Sequence, residues 1–271
     1  MFTKLLKHEW RATRGMLGTL CLVCLGASLL GGLTMRYLMW TSTAQEMQHN
    51  TIIVLNALAM IAAIVAVALA GVAALFLYIG RFYKSRFTDE GYLTFTLPVG
   101  THQNLLSSMA NTAIGMVIMF FVICAAIGLW LAIGFSAMDG FYDELWRNLP
   151  RLWAEMCREI GEIKFGYVAL FLGNILCGSA CEIVLLMLSV TIGSIIAKKH
   201  KILAAVGMYY GINVVFSIVT SSVMSMQVFA DHSIGQIFST TLLSSLVQTA
   251  AVSVVGYFLM YWLVDRKLNL N

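Results

Sequence analysis

Apolar residues run along this chain in six long stretches, separated by shorter polar segments. The stretches cover residues 16–35, 51–80, 105–138, 165–197, 202–226 and 237–264. Each meets the roughly 20 residues that a bilayer-crossing helix needs. Strand-period alternation is absent from them, which argues against a β-barrel. Lipid offers no partner to exposed backbone groups, and a helix satisfies them within one segment. The pattern predicts an all-α, polytopic membrane protein: one transmembrane domain with six transmembrane helices.

Composition points the same way. Of 271 residues, 60% are hydrophobic and 11% carry a fixed charge. Soluble domains run at about 45–50% and about 25%. Disorder, collagen and coiled coil are excluded. Of the cysteines, Cys21, Cys24, Cys124, Cys177 and Cys181 lie inside apolar runs and Cys157 outside them. They outline neither a disulfide framework nor zinc spacing. The first stretch follows basic residues and could pass for a signal peptide. It is read as an uncleaved first span.

The polar segments set an orientation. With the N-terminus inside, the inner segments hold Lys4, Lys7, Arg11, Arg14, Arg81, Lys84, Arg86, Lys198, Lys199, Lys201, Arg266 and Lys267. The outer ones hold only Arg36, Arg147, Arg151, Arg158 and Lys164. This is the positive-inside distribution, with both termini cytoplasmic. The overall charge of +4 therefore hides a basic inner side and an acidic outer side. It reflects topology rather than a nucleic-acid footprint.

Three segments are too polar to cross. Residues 1–14 place Phe2, Leu5, Leu6 and Trp10 at helical spacing, with Lys4, Lys7, Arg11 and Arg14 on other faces. They predict an interfacial elbow helix with Phe2, Trp10, Arg11 and Arg14 at the membrane surface. A frayed basic tail is the alternative. Residues 139–164 repeat Leu145, Leu149, Leu152, Trp153, Met156, Ile160 and Ile163 at three- and four-residue intervals. This predicts an extracellular amphipathic segment, broken or restarted at Pro150. It is either a gate over the bundle or a cap resting on lipid headgroups.

Residues 81–104 form the cytoplasmic connector. Thr88 suits an N-cap, with Asp89 and Glu90 in the first turn where the helix dipole favours acids. Gly91, Tyr92, Leu93 and Phe95 follow, and Pro98 ends the run. The result is a helix of about two turns at ~3.6 residues per turn. Its large apolar groups make either a docking surface for another protein or a patch that folds back on the bilayer.

The runs Arg81-Phe82-Tyr83-Lys84 and Phe87-Thr88-Asp89-Glu90-Gly91-Tyr92-Leu93-Thr94-Phe95-Thr96-Leu97-Pro98-Val99 resemble bacterial ABC transporter permease subunits of the ABC-two export type. So does Lys4-Leu5-Leu6-Lys7-His8-Glu9-Trp10-Arg11-Ala12-Thr13-Arg14. The resemblance implies that Thr88 to Phe95 is the coupling helix, docking into a cleft on an ATPase subunit. It also implies two permease subunits, identical or homologous, working with two nucleotide-binding subunits in the bacterial inner membrane. No Gly-x-x-x-x-Gly-Lys-Ser/Thr loop occurs in the chain, so ATP and Mg belong to the partner ATPase.

Within the six stretches one fixed charge remains, Glu182. A mid-span acid costs about 2.5–3.5 kcal/mol on insertion scales. Asn174, Gly178, Glu182, Ser189 and Gly193 share a helical stripe, which belongs toward other helices rather than lipid. Gly207 and Gly211 in the fifth stretch, and Ser245 and Gln248 in the sixth, offer partner surfaces. Glu182 is read three ways: hydrogen-bonded structural glue, part of a substrate path with Asn174, Gly178 and Ser189, or a proton-coupling acid.

The leading expectation is a permease subunit of an ATP-driven exporter. Its cargo is amphipathic: a peptide, lipid or drug. The alternatives are an ion-coupled secondary transporter built on Glu182 and a membrane scaffold without transport. No HExxH or GxSxG motif occurs and no histidine lies in a span, so no catalytic or metal site is expected in this chain.

Overall fold

In a computed structural model, residues 2–43, 50–88, 100–138, 140–162, 165–197, 200–229 and 234–267 are described. They form helices α1 (Phe2–Thr43), α2 (Asn50–Phe87), α3 (Thr101–Phe135), α4 (Phe141–Glu162), α5 (Phe165–Ile196), α6 (Lys201–Phe229) and α7 (Ile234–Lys267). No strand occurs among the described residues. All but α4 are long and apolar enough to cross a membrane. The architecture is that of an all-helical, multi-pass membrane protein.

Two boundaries differ from those read in the sequence. The expected separate helix over residues 1–14 is instead the start of α1, which runs 42 residues without a break. Gly15, at the expected junction, costs an interior helix only about 1 kcal/mol against alanine. Residues 81–87, read as connector, continue α2 instead. Arg81 and Arg86 there share a buried partner, described below, so the helix need not end where its hydropathy does.

The expected break at Pro150 is also absent, since α4 passes through it. Proline removes a backbone donor there. The apolar spacing nevertheless stays in register across it, from Trp146 and Leu149 to Leu152 and Trp153. A break would split that face in two.

Two units divide the contacts. The first comprises Met1–Trp10, Tyr78–Ala113 and Ile163–Asn271. Its core gathers Ile79, Phe82, Leu105, Met187, Ala205, Met260 and Val264 from α2, α3, α5, α6 and α7. At Gly193 the backbones of α5 and α6 come so close that a Cβ would lie 2.5 Å from the Ala205 amide nitrogen. Only glycine permits that approach. Gly256 plays a milder part, facing the Val184 side chain.

The second unit comprises Arg11–Leu77 and Ile114–Glu162. Its core uses smaller groups, Cys24, Ala70, Ala74 and Ala126, with Met119. Gly31 faces Ala63 and the Trp130 ring, and Gly32 faces Ile133. These are helix-packing glycines, as small residues at membrane helix contacts are. In both units Leu22, Leu55, Phe121, Leu176 and Phe258 remain exposed, an outer surface suited to acyl chains.

Candidate functional site

The densest polar structure in the first unit lies around Arg86, one of its most deeply buried side chains. Asn104, Ser107, Ser108, Asn111 and Thr112 repeat at intervals of three and four along α3, and all are buried. The face of α3 that packs inward here is therefore polar, the reverse of a soluble amphipathic helix. Arg86 Nη2 donates to the Asn104 carbonyl at 2.7 Å and to Ser108 Oγ at 2.8 Å. The Ser108 hydroxyl in turn donates to Glu9 Oε1 at 3.2 Å. Glu9 Oε1 also lies 3.6 Å from Arg86 Nη1, and Glu9 Oε2 accepts from Arg81 Nε at 3.3 Å. The Arg86 guanidinium sits 5.8 Å from the Phe82 ring centroid.

One carboxylate thus serves two guanidinium groups, and Arg86 Nη2 is met by a carbonyl and a hydroxyl oxygen, while Arg86 Nε is buried without an acceptor among the described residues. This is the condition under which buried charge persists: the ions are paired and hydrogen-bonded. The network joins the start of α1, the end of α2 and the first turns of α3. A second tie involves α7. His102 stacks on Tyr261 with centroids 3.9 Å apart, and its Nδ1 lies 3.0 Å from the Tyr257 hydroxyl. Arg86 and Asn104 therefore bracket the connector and hold its two ends together.

Of the expected coupling residues, Thr88 is described. It follows α2, and its hydroxyl donates backward to the Lys84 carbonyl at 2.5 Å. Asp89, Glu90, Gly91, Tyr92, Leu93 and Phe95 lie outside the described residues. Among the interface candidates, Phe2 and Trp10 are half-buried in the first unit, and Arg11 and Arg14 are exposed in the second.

The expected substrate-path stripe divides. Ser189 is buried, and its hydroxyl donates to the Leu186 carbonyl of its own helix. Asn174 ties α5 to α7, donating to the Leu242 carbonyl at 2.8 Å and accepting from Ser245 at 2.6 Å. Gly178 has open space beside it. Glu182 is exposed and accepts a hydrogen bond from the Tyr209 hydroxyl at 2.9 Å. So α5 is packed around Ser189 and open on the face around Glu182. Gly207 and Gly211, read as a packing pair, have nothing within 4 Å.

Beside Gly211 lies an open apolar groove of about 710 Å³ between α6 and α7, lined by Met208, Val215, Phe216, Gln248 and Val252. Gln248 Oε1 is buried there without a hydrogen-bond donor among the described residues. Its volume falls within the roughly 300–1,000 Å³ of ordinary ligand sites. No group of three or more His, Cys, Asp or Glu side chains that could hold a metal occurs among the described residues.

The Arg86 network was not foreseen. Its signal was present in the polar stripe at 104, 107, 108, 111 and 112, and in Glu9 as the sole acid among the basic residues ahead of the first apolar stretch. Searches of protein-family models, curated proteins and solved structures find no match to the chain.

Proposed function

We propose that the chain is the transmembrane permease subunit of an ATP-driven exporter, working as a pair of permeases in a bacterial cytoplasmic membrane with both termini cytoplasmic. ATP and Mg bind the partner ATPase subunits, which dock on residues 88–95. The observation that carries this reading is the Arg86 network. It clamps the two helices that flank the connector and ties them to the N-terminal helix through Glu9. A push on the connector is then delivered to three helices together, which is what coupling to a separate motor needs. The resemblance of residues 81–99 and 4–14 to export permeases names the motor as an ABC ATPase.

An amphipathic cargo suits the groove between α6 and α7, where an apolar lining surrounds the lone Gln248 acceptor. Co-purification of the full chain with candidate ATPases tests the reading. A stable complex is expected, and replacing Tyr92 and Leu93 by Asp should abolish it while the permease stays monodisperse. A complex indifferent to those changes contradicts the assignment. The exposed Glu182–Tyr209 pair favours a second reading, an ion-coupled transporter. It predicts proton-driven transport by the chain alone, independent of residues 88–95.

A further inference from the structure

Helix α4 presents an apolar face that the second unit leaves uncovered. Trp146 is 69% exposed and Trp153 is 63% exposed, seven residues apart and so on the same face. Leu149 and Leu152 lie beside them and are exposed as well. The opposite face carries Asp143, Arg147, Arg151 and Glu155, with an Arg151–Glu155 pair at 3.5 Å. A lone two-faced helix of this kind needs an apolar phase against one side only.

The structure fixes where the helix begins. Candidate span α3 ends at Phe135, and a turn follows at Gly140, whose φ of 77° favours glycine. At Phe141 the helix restarts, with its ring stacked on Phe135 at 4.7 Å between centroids. The Tyr142 hydroxyl donates to the Ala132 carbonyl of α3. Both contacts pin the first turn of α4 to the last turn of a membrane span. With α3 in the bilayer, α4 starts at the level where hydrocarbon meets headgroups. Tryptophan is the side chain most at home there, its ring in the apolar zone and its N–H toward water.

We infer that α4 is an interfacial anchor, lying in the bilayer surface at which α3 ends, with Trp146, Leu149, Leu152 and Trp153 inserted among the lipids. The lipid class follows from charge. The helix sequence holds five acids and three arginines. Attraction to anionic headgroups therefore does not drive its binding; apolar burial does. Zwitterionic lipid suffices, and salt has no effect.

The test uses the full chain, cysteine-free, in phosphatidylcholine vesicles, with an environment-sensitive fluorophore on a cysteine at Leu149→Cys or Arg151→Cys. The label at 149 should emit to the blue and be quenched several-fold more by nitroxide-bearing acyl chains than by aqueous iodide. The label at 151 should show the reverse. Both patterns should persist at about 1 M salt, where the Debye length is about 3 Å. Iodide quenching at 149 equal to that at 151 overturns the inference. So does shielding of 149 from both quenchers, which would mean that a second copy or another protein covers the face. The otherwise native chain gives a second arm. Replacing Trp146 and Trp153 together by Phe should lower the share of tryptophan emission quenched by brominated lipid, and an unchanged share overturns the inference as well.

Discussion

Glu9 and Glu182 are both acids of the first unit carried on long helices, and they are housed in opposite ways. Glu9 is buried beside two guanidinium groups, a serine hydroxyl and a polar face of α3. Glu182 is exposed on α5 and holds the Tyr209 hydroxyl. A charge that brings its neutralising partners into the fold can be buried and can carry structure. The carboxylate on the open face of α5 is held by a phenol hydroxyl in place of counter-charges.

The largest expected effect breaks the buried partner. Glu9→Gln leaves Arg81 and Arg86 without their carboxylate, and removing one member of a buried pair costs about 3–5 kcal/mol. Equilibrium unfolding in bicelles should show that loss. Replacing Glu9 and Arg86 together by Met should recover most of it, because an apolar pair leaves no buried charge uncompensated at that contact. A double variant as unstable as Glu9→Gln would place the weight of the network on Arg81 instead.

Next come the two glycines of the α5 stripe, one on either side of Glu182. Gly193→Ala forces a methyl against the Ala205 backbone and should destabilise by about 1–3 kcal/mol, as overpacking does. Gly178→Ala meets open space and should stabilise by up to about 1 kcal/mol through helix propensity. Equal effects at both sites would mean that α5 is packed alike along its length and that the face around Glu182 is not open.

The smallest effect on folding belongs to Glu182 itself. Glu182→Gln should change unfolding by no more than about 0.5 kcal/mol, the range of surface substitutions away from structural features. Transport by the reconstituted complex should nevertheless fall if this acid meets cargo or proton. Tyr209→Phe should follow it, since that hydroxyl holds the carboxylate. A large stability loss in Glu182→Gln would return the residue to structural glue.

The six spans were legible because length and hydropathy alone decide whether a helix can cross a bilayer. The helix ends were less so. Residues 81–87 look like a polar loop until Arg81 and Arg86 are seen to have Glu9 as partner, and no local pattern announces a contact across more than 70 residues of chain. The amphipathic spacing around Pro150 gave α4 its face. It did not say that the helix would continue through proline, where the backbone loses a donor. The spacing through Glu182 reads as one helical face turned toward other helices, yet Glu182 on it is exposed. Which part of that face would be packed depends on where α6 closes on α5, at Gly193 and Ala205.

The most direct measurement is a double-mutant cycle on Glu9 and Arg86, read as unfolding free energy in bicelles. If one network binds the N-terminal helix to both ends of the connector, the losses from Glu9→Gln and Arg86→Gln must be strongly non-additive, within the roughly 0.5–3 kcal/mol seen for residues in contact. Losses that sum to within about 0.3 kcal/mol, as they do for independent sites, would contradict it.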